Sequence, residues 1–182
     1  MSHRFGEIRQ VAYLVKDIEQ AMRHWTGVLG IGPFFYVEKK TAQGSTYRGQ
    51  PTAPQLSIAM SQSGPLQIEL IQQHNDAPSQ FLDYVKAGFD GQHHIAFWTK
   101  NFDADMARYL KEGYEALSTA NTAPDRNAFL TARGHDGTLI EISEISGPKG
   151  AYFEKIAQIA AAWGGKNPIR KVERMTPDAI EG

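Results

Sequence analysis

The chain has 182 residues, a size that fits one compact domain or two small modules sharing a core, and 41% of them are hydrophobic, enough to build that core. Its 19 Lys and Arg nearly cancel 20 Asp and Glu, and no basic run is interleaved with aromatics, which argues against nucleic acid and for a small-molecule partner. Cysteine is absent, excluding a disulfide framework, a thiolate nucleophile and cysteine-ligated zinc; with no bilayer-length apolar stretch and no hydrophobic signal in Met1 to Gly6, a cytoplasmic protein without membrane contact is expected.

Apolar and β-branched residues from Ile8 to Val15 predict a strand. Asp17, with Gln20 in the capping-box position, predicts the start of a helix that carries Ile18, Ala21, Met22, Trp25, Val28 and Leu29 on one stripe and stops at Gly30. Phe34 to Glu38 reads as a strand. A polar, poorly periodic loop through Tyr47 and Pro54 follows, and then Leu56 to Ser61 and Leu66 to Gln72 form a hairpin about Ser63-Gly64-Pro65. Pro78 and Ser79 open a short linker helix over 78–87 with Phe81, Tyr84 and Val85, ended by Gly88.

A second strand runs from His94 to Thr99, Asn101 is in the cap position, and Phe102, Met106, Tyr109 and Leu110 share a helix face closed by Gly113. Tyr114 to Leu117, Ala128 to Ala132 and Leu139 to Ser143 read as strands, and His135 in Gly134-His135-Asp136-Gly137 as a turn residue. Tyr152, Phe153, Ile156, Ile159, Ala160 and Trp163 mark a final amphipathic helix stopped by Gly164-Gly165, before a polar tail from Lys166 that is expected to be mobile.

These elements repeat. Gln10-Val11-Ala12-Tyr13 matches His94-Ile95-Ala96-Phe97 at an offset of 84 (94 less 10), which holds through Trp25 and Tyr109. Ile68-Glu69-Leu70 matches Ile140-Glu141-Ile142 at an offset of 72 (141 less 69), so the second unit has lost 12 residues (84 less 72) from its loop. The fold class expected is α+β, with two βαβββ modules, 8–72 and 92–146, forming a curved, cup-shaped mixed sheet over residues 8–146, and 147–182 as a C-terminal helix and tail.

Side chains alternate between the faces of a strand, so parity sorts each one. Val11, Tyr13, Ile95, Phe97, Ile68, Leu70, Ile140 and Ile142 fall on the helix-covered side; Gln10, Glu69, His94 and Glu141 all fall on the other. With the two sheets joined edge to edge, that face becomes the inside of a cup holding an amide, an imidazole and two carboxylates. Such nitrogen and oxygen donors suit a divalent ion, whether Zn, Ni, Co, Mn or Fe. Leu14, Phe35, Met60, Trp98 and Phe129 are expected to line or rim the cup and receive an apolar substrate portion. His93 has the wrong parity for the site, His24 and His74 have no partner pattern, and Arg48, Arg126 and Arg133 are given no role.

Over Ile8 to Ser146 this pattern resembles the vicinal oxygen chelate superfamily, which includes glyoxalase I, methylmalonyl-CoA epimerase, extradiol dioxygenases and the bleomycin and fosfomycin resistance proteins. The resemblance implies Gln10, Glu69, His94 and Glu141 as metal ligands, a set most like that of glyoxalase I. The segments Gln92-His93-His94-Ile95-Ala96-Phe97-Trp98 and Gly137-Thr138-Leu139-Ile140-Glu141 are more similar to methylmalonyl-CoA epimerase. Epimerases of the family usually have histidine where this chain has Gln10, and the second histidine of the iron dioxygenases is missing, which argues against that branch.

The function this implies is a metal-dependent lyase or isomerase of the glyoxalase or epimerase type. It would move a proton at a carbon next to a carbonyl, through a metal-stabilised enediolate, on a thioester, hemithioacetal or related carbonyl compound. By the same resemblance Glu141 is the base and Glu69 its pseudo-symmetric counterpart. The competing expectation is a metal-free binding protein of the bleomycin-resistance type that sequesters an aromatic molecule; burying two carboxylates without a cation weighs against it. The C-terminal helix, with Phe153, Ile156 and Trp163, is expected either to cap the core or to bury a homodimer face.

Overall fold

The computed structural model describes residues 5–132 and 139–180. Its elements follow in chain order: β1 (Ile8–Leu14), α1 (Ile18–Gly27), β2 (Phe34–Thr41), β3 (Ser45–Tyr47), β4 (Gln50–Thr52), β5 (Gln55–Ser63), β6 (Leu66–Gln73), α2 (Gln80–Lys86), β7 (Gly91–Thr99), α3 (Phe102–Lys111), β8 (Tyr114–Ala120), β9 (Asn127–Ala132), β10 (Leu139–Glu144), α4 (Pro148–Ala161) and β11 (Ile169–Lys171). The turn around His135, together with Arg133, lies outside the described residues.

One curved mixed sheet carries all eleven strands, in the order β11-β2-β5-β6-β1-β7-β10-β9-β8-β3-β4. Its middle is pseudo-symmetric. β1 and β7 pair antiparallel, and each takes the closing strand of its own module, β6 or β10, as a parallel neighbour on its other side. This is the expected α+β cup of two βαβββ modules. Parity holds as well: Tyr13, Ile68 and Leu70 pack with Ile18 and Met22 of α1, while Ile95, Phe97, Ile140 and Ile142 pack with Phe102 and Tyr109 of α3.

Local signals behave unevenly. Asp17 Oδ1 accepts from the Gln20 amide at 2.9 Å, as expected, but Asn101 makes no side-chain cap; Thr99 Oγ1 instead accepts from the Asn101 amide at 2.8 Å. Helix α1 ends three residues before Gly30, leaving Val28 and Leu29 exposed, and Leu110 is exposed on α3, so these three leave the stripes expected for them. Arg48 pairs with Asp83, and Arg126 is held by Glu144 and Asp103, so both loop arginines act as structural clamps.

Two larger departures shape the cup. The polar loop after β2 contains the β3–β4 hairpin, which leaves its own module and pairs with β8 of the other, Thr46 opposite Thr119 and Tyr47 opposite Ser118. Tyr47 donates to Asp83 of α2 at 2.6 Å and Thr52 donates to the Pro78 carbonyl at 2.7 Å, so the hairpin is strapped over the rim. A scan for hydrophobic period finds nothing here because the pairing is entirely long-range.

The second departure is the tail. Strand β11 pairs parallel with β2, Val172 donates to the Tyr36 carbonyl, and Val172 and Ile180 are buried, so the segment expected to be mobile is ordered. Helix α4 ends at Ala161, short of Gly164-Gly165. It lies in the cup of the first module, where Tyr152, Phe153 and Ile156 pack with Phe35, Val37 and Met60. Ile156 is fully buried there, and Ile156→Ala is expected to cost about 2–5 kcal/mol in denaturant unfolding. A loss below about 1 kcal/mol would mean that α4 is not part of the cooperative core.

Candidate metal centre

Strand register assembles the site at the centre of the sheet. Ala12 of β1 lies opposite both Glu69 of β6 and His94 of β7, and Ala96 of β7 lies opposite both Gln10 of β1 and Glu141 of β10. The polar side chains therefore occupy two adjacent rows, each with an alanine between its ends. Both alanines are fully buried. A methyl group is the largest side chain that keeps this floor low, since in a close-packed interior a longer one would fill the space between the carboxylates.

His94 Nε2 lies 3.0 Å from Glu141 Oε2 and 3.5 Å from Glu69 Oε2, and one ligand atom from each of the three residues falls within 4.8 Å of the others. Ions with bonds of about 2.0–2.2 Å to nitrogen and oxygen fit such a spacing. All three side chains are buried, yet His94 Nε2 makes no aligned hydrogen bond. A buried imidazole nitrogen facing two carboxylates is an arrangement that a proton or a divalent cation resolves. Gln10, on the same face, is also buried and donates through Nε2 to Gln67 Oε1 at 2.6 Å.

The electrostatics follow from burial and proximity. Burial alone would lower the pKa of His94, but the two carboxylates facing it outweigh this and raise it to about 9. Burial pushes the Glu69 carboxyl up. The same burial acts on Glu141 but is overcome by His94, Lys149 and Asn127, whose Nδ2 donates to Glu141 Oε1 at 3.2 Å, so this carboxyl is held below its usual range. Two like groups pushed in opposite directions make a pair with distinct proton affinities.

His93 departs from the parity reading. Along the β1–β7 pair Ala12 faces His94 while Tyr13 faces Gln92, so His93 is an extra, bulged residue. The bulge turns its ring inward, where Nδ1 meets His94 Nδ1 at 3.0 Å and Nε2 faces the Gln80 carbonyl at 3.4 Å. Burial, then the charge of His94, lowers its pKa to about 3, so it is a neutral acceptor. With the His93 proton on Nε2, its Nδ1 accepts from His94 Nδ1–H, which leaves His94 Nε2 directed at the carboxylates; this proton placement is assigned from the contacts. The only sequence sign was the doubled histidine itself.

Above the floor is a cavity of about 200 Å3. Of the residues expected to line it, Met60 and Phe129 do, beside Gln10, Glu69 and Glu141. Leu14 is instead buried in a cluster with Phe81, Phe35 packs under α4, and Trp98 lies tilted against Phe153 at 4.8 Å with Arg9 on its ring. Sequence reasoning missed Asn127 and Lys149, which have no repeat-equivalent partner to signal them. His74 bonds Ser57 at 2.8 Å, away from the centre.

Replacing the His93 ring with one that cannot accept, as in His93→Phe, is expected to lower divalent-metal affinity about 10–100-fold with the fold retained, read by competition with a chromophoric chelator. In the metal-free protein, His94 holds its proton more tightly folded than unfolded. That contribution to stability is fully present below about pH 6.5 and is lost as pH rises through about 9. Thermal melts across this window are expected to flatten in His94→Gln; an unchanged profile would place the titration elsewhere.

Among described residues no helix is long and apolar enough to cross a membrane. A search of curated proteins found no match. Among solved structures, a hypothetical protein of Bacillus halodurans C-125 is similar at 20% identity and TM-score 0.54, over 75% of this chain and 92% of that one. Methylmalonyl-CoA epimerase of Streptomyces coelicolor, in complex with 2-nitronate-propionyl-CoA, gives 19% and 0.52 over 76% and 94%. The Mycobacterium tuberculosis epimerase gives 17% and 0.57 over 83% and 95%. At these identities the likeness is one of fold. Residues 9–129 match the family model, and with the paired modules this makes the chain a member of the Glyoxalase/Bleomycin resistance protein/Dioxygenase superfamily.

Proposed function

We propose that this protein is a metal-dependent lyase or isomerase that moves a proton at a carbon next to a carbonyl, with residues 8–146 as its catalytic domain. The observation that carries this reading is the buried trio of Glu69, His94 and Glu141, in which the imidazole Nε2 faces two carboxylates without an aligned bond. Gln10, Glu69, His94 and Glu141 would hold the ion, and the bond from Gln10 Nε2 to Gln67 leaves the amide oxygen as the ligand atom. A divalent ion bound there would supply Lewis acidity toward the substrate carbonyl.

The chain's own groups handle the proton. Glu141, kept ionised by His94, Lys149 and Asn127, takes it from the carbon acid. Glu69, its pseudo-symmetric counterpart in the other row, returns a proton from the other side. An epimerase uses both faces of the planar intermediate; an isomerase needs only one.

The metal-free binding reading draws support from the apolar walls, Leu56, Ile58, Phe81, Phe129 and Phe153. The cost of two buried carboxylates weighs against it, unless His94 keeps its proton between them. Metal analysis of the purified protein, with His94→Ala as the depleted control, separates the two.

For the chemistry, NMR in heavy water with acyl-CoA thioesters, glutathione adducts and free oxo acids is expected to show deuterium entering the carbon next to the carbonyl. Glu141→Gln should slow that entry by about 10²–10⁴-fold. Stoichiometric metal without exchange in any of the three classes would remove the proton-transfer reading.

A further inference from the structure

The cavity over the metal centre is not built by the two modules alone. Lys149 and Phe153 of α4 and Met175 of the tail line it together with Glu69 and Glu141, and all three lie beyond residues 9–129. The first turn of α4 is drawn tightly onto the end of β10. A Cβ at Gly150 would meet the Ile145 carbonyl oxygen, so only glycine allows this approach.

That approach fixes Lys149. Its backbone amide donates to Asp125 Oδ1 at 3.0 Å, and its ammonium donates to the carbonyls of Asp125 at 2.9 Å and Arg126 at 3.0 Å. An ammonium has three N–H groups, so these two bonds leave one more, on a residue that lines the cavity and whose charge acts on Glu141. The long side chain is thus held at its tip, which a solvated surface lysine is not.

Charge then selects the ligand. Two carboxylates carry −2, a divalent ion adds +2 and Lys149 adds +1, so the loaded cavity holds an excess of one positive charge. In an enclosed site this excess is balanced best by a ligand that brings an anion. The cavity of about 200 Å3 and its apolar wall of Leu56, Ile58, Phe81 and Phe129 limit the rest of that ligand to a compact apolar skeleton.

We propose that Lys149 is the anion anchor of the substrate site, and that the substrate is a carbonyl compound bearing a carboxylate within reach of its reacting carbon. This rests on the metal-assisted proton-transfer reading and narrows its substrate class. The α4 segment would then be the specificity element that this chain adds to the family cup.

Calorimetric titration of the Zn2+-loaded full chain with 2-oxobutyrate and with its neutral amide, 2-oxobutanamide, tests this. The acid is expected to bind at least about tenfold more tightly than the amide, as one charge-assisted hydrogen bond provides. Lys149→Met should cut that preference about tenfold, beyond any loss shared by acid and amide, and Lys149→Arg should retain most of it. A purely structural lysine predicts equal loss for acid and amide in Lys149→Met, and that result, or a wild type without preference, overturns the anchor. A separate Zn2+ titration of the unloaded protein reports on the metal reading. If wild type takes up no Zn2+, that reading falls and takes with it the charge excess on which the anchor rests; Zn2+ uptake without an acid preference overturns the anchor alone.

Discussion

Two carboxylates buried within reach of one imidazole nitrogen set the terms for the rest of this molecule. Removing a charge from water is expensive, and two like charges side by side are worse, so the sheet must supply compensation at that point. It does so in layers. His94 faces both carboxylates, Asn127 bonds one of them, and Lys149 adds a cation from outside the modules. His93 in turn holds the far side of the His94 ring. A divalent ion binding His94 must displace the proton held there, so its affinity rises with pH.

Duplication is what makes the arrangement economical. Each module contributes one polar side chain from its opening strand and one carboxylate from its closing strand, and the antiparallel β1–β7 seam turns two half-sites toward one axis. Alanine two residues after Gln10 and after His94 keeps the floor clear. The rest of the fold then encloses the centre: the β3–β4 strap ties one module to the edge of the other, and α4 with β11 fills the first module's half of the cup. Enclosure raises the strength of every charge interaction inside, which serves catalysis and selectivity alike.

The elements that were legible in advance share a property. The repeat, the parity of Gln10, Glu69, His94 and Glu141, the hairpin at Gly64 and the Asp17 cap all depend on neighbours within one element or on the alternation that a regular strand keeps. Where the alternation did break, the reading failed: a bulge at His93 inserted one residue and turned a side chain of the wrong parity into a partner of the centre. Leu14, Phe35 and Trp98 illustrate a second limit. Their cup-facing parity says which side they occupy but not what else packs there, and Phe81, α4 and Phe153 had already taken those places.

The sequence by itself determined the duplicated α+β architecture and the shared face of four polar side chains, because periodicity and register are local consequences of backbone geometry. Only the tertiary structure decided how closed the cup is, which residues reach its floor, and that Lys149 stands on its wall. Those outcomes depend on contacts between segments far apart in the chain: the strap on β8, the tail on β2 and α4 in the cup. No pattern within a single segment records which distant surface will come to meet it.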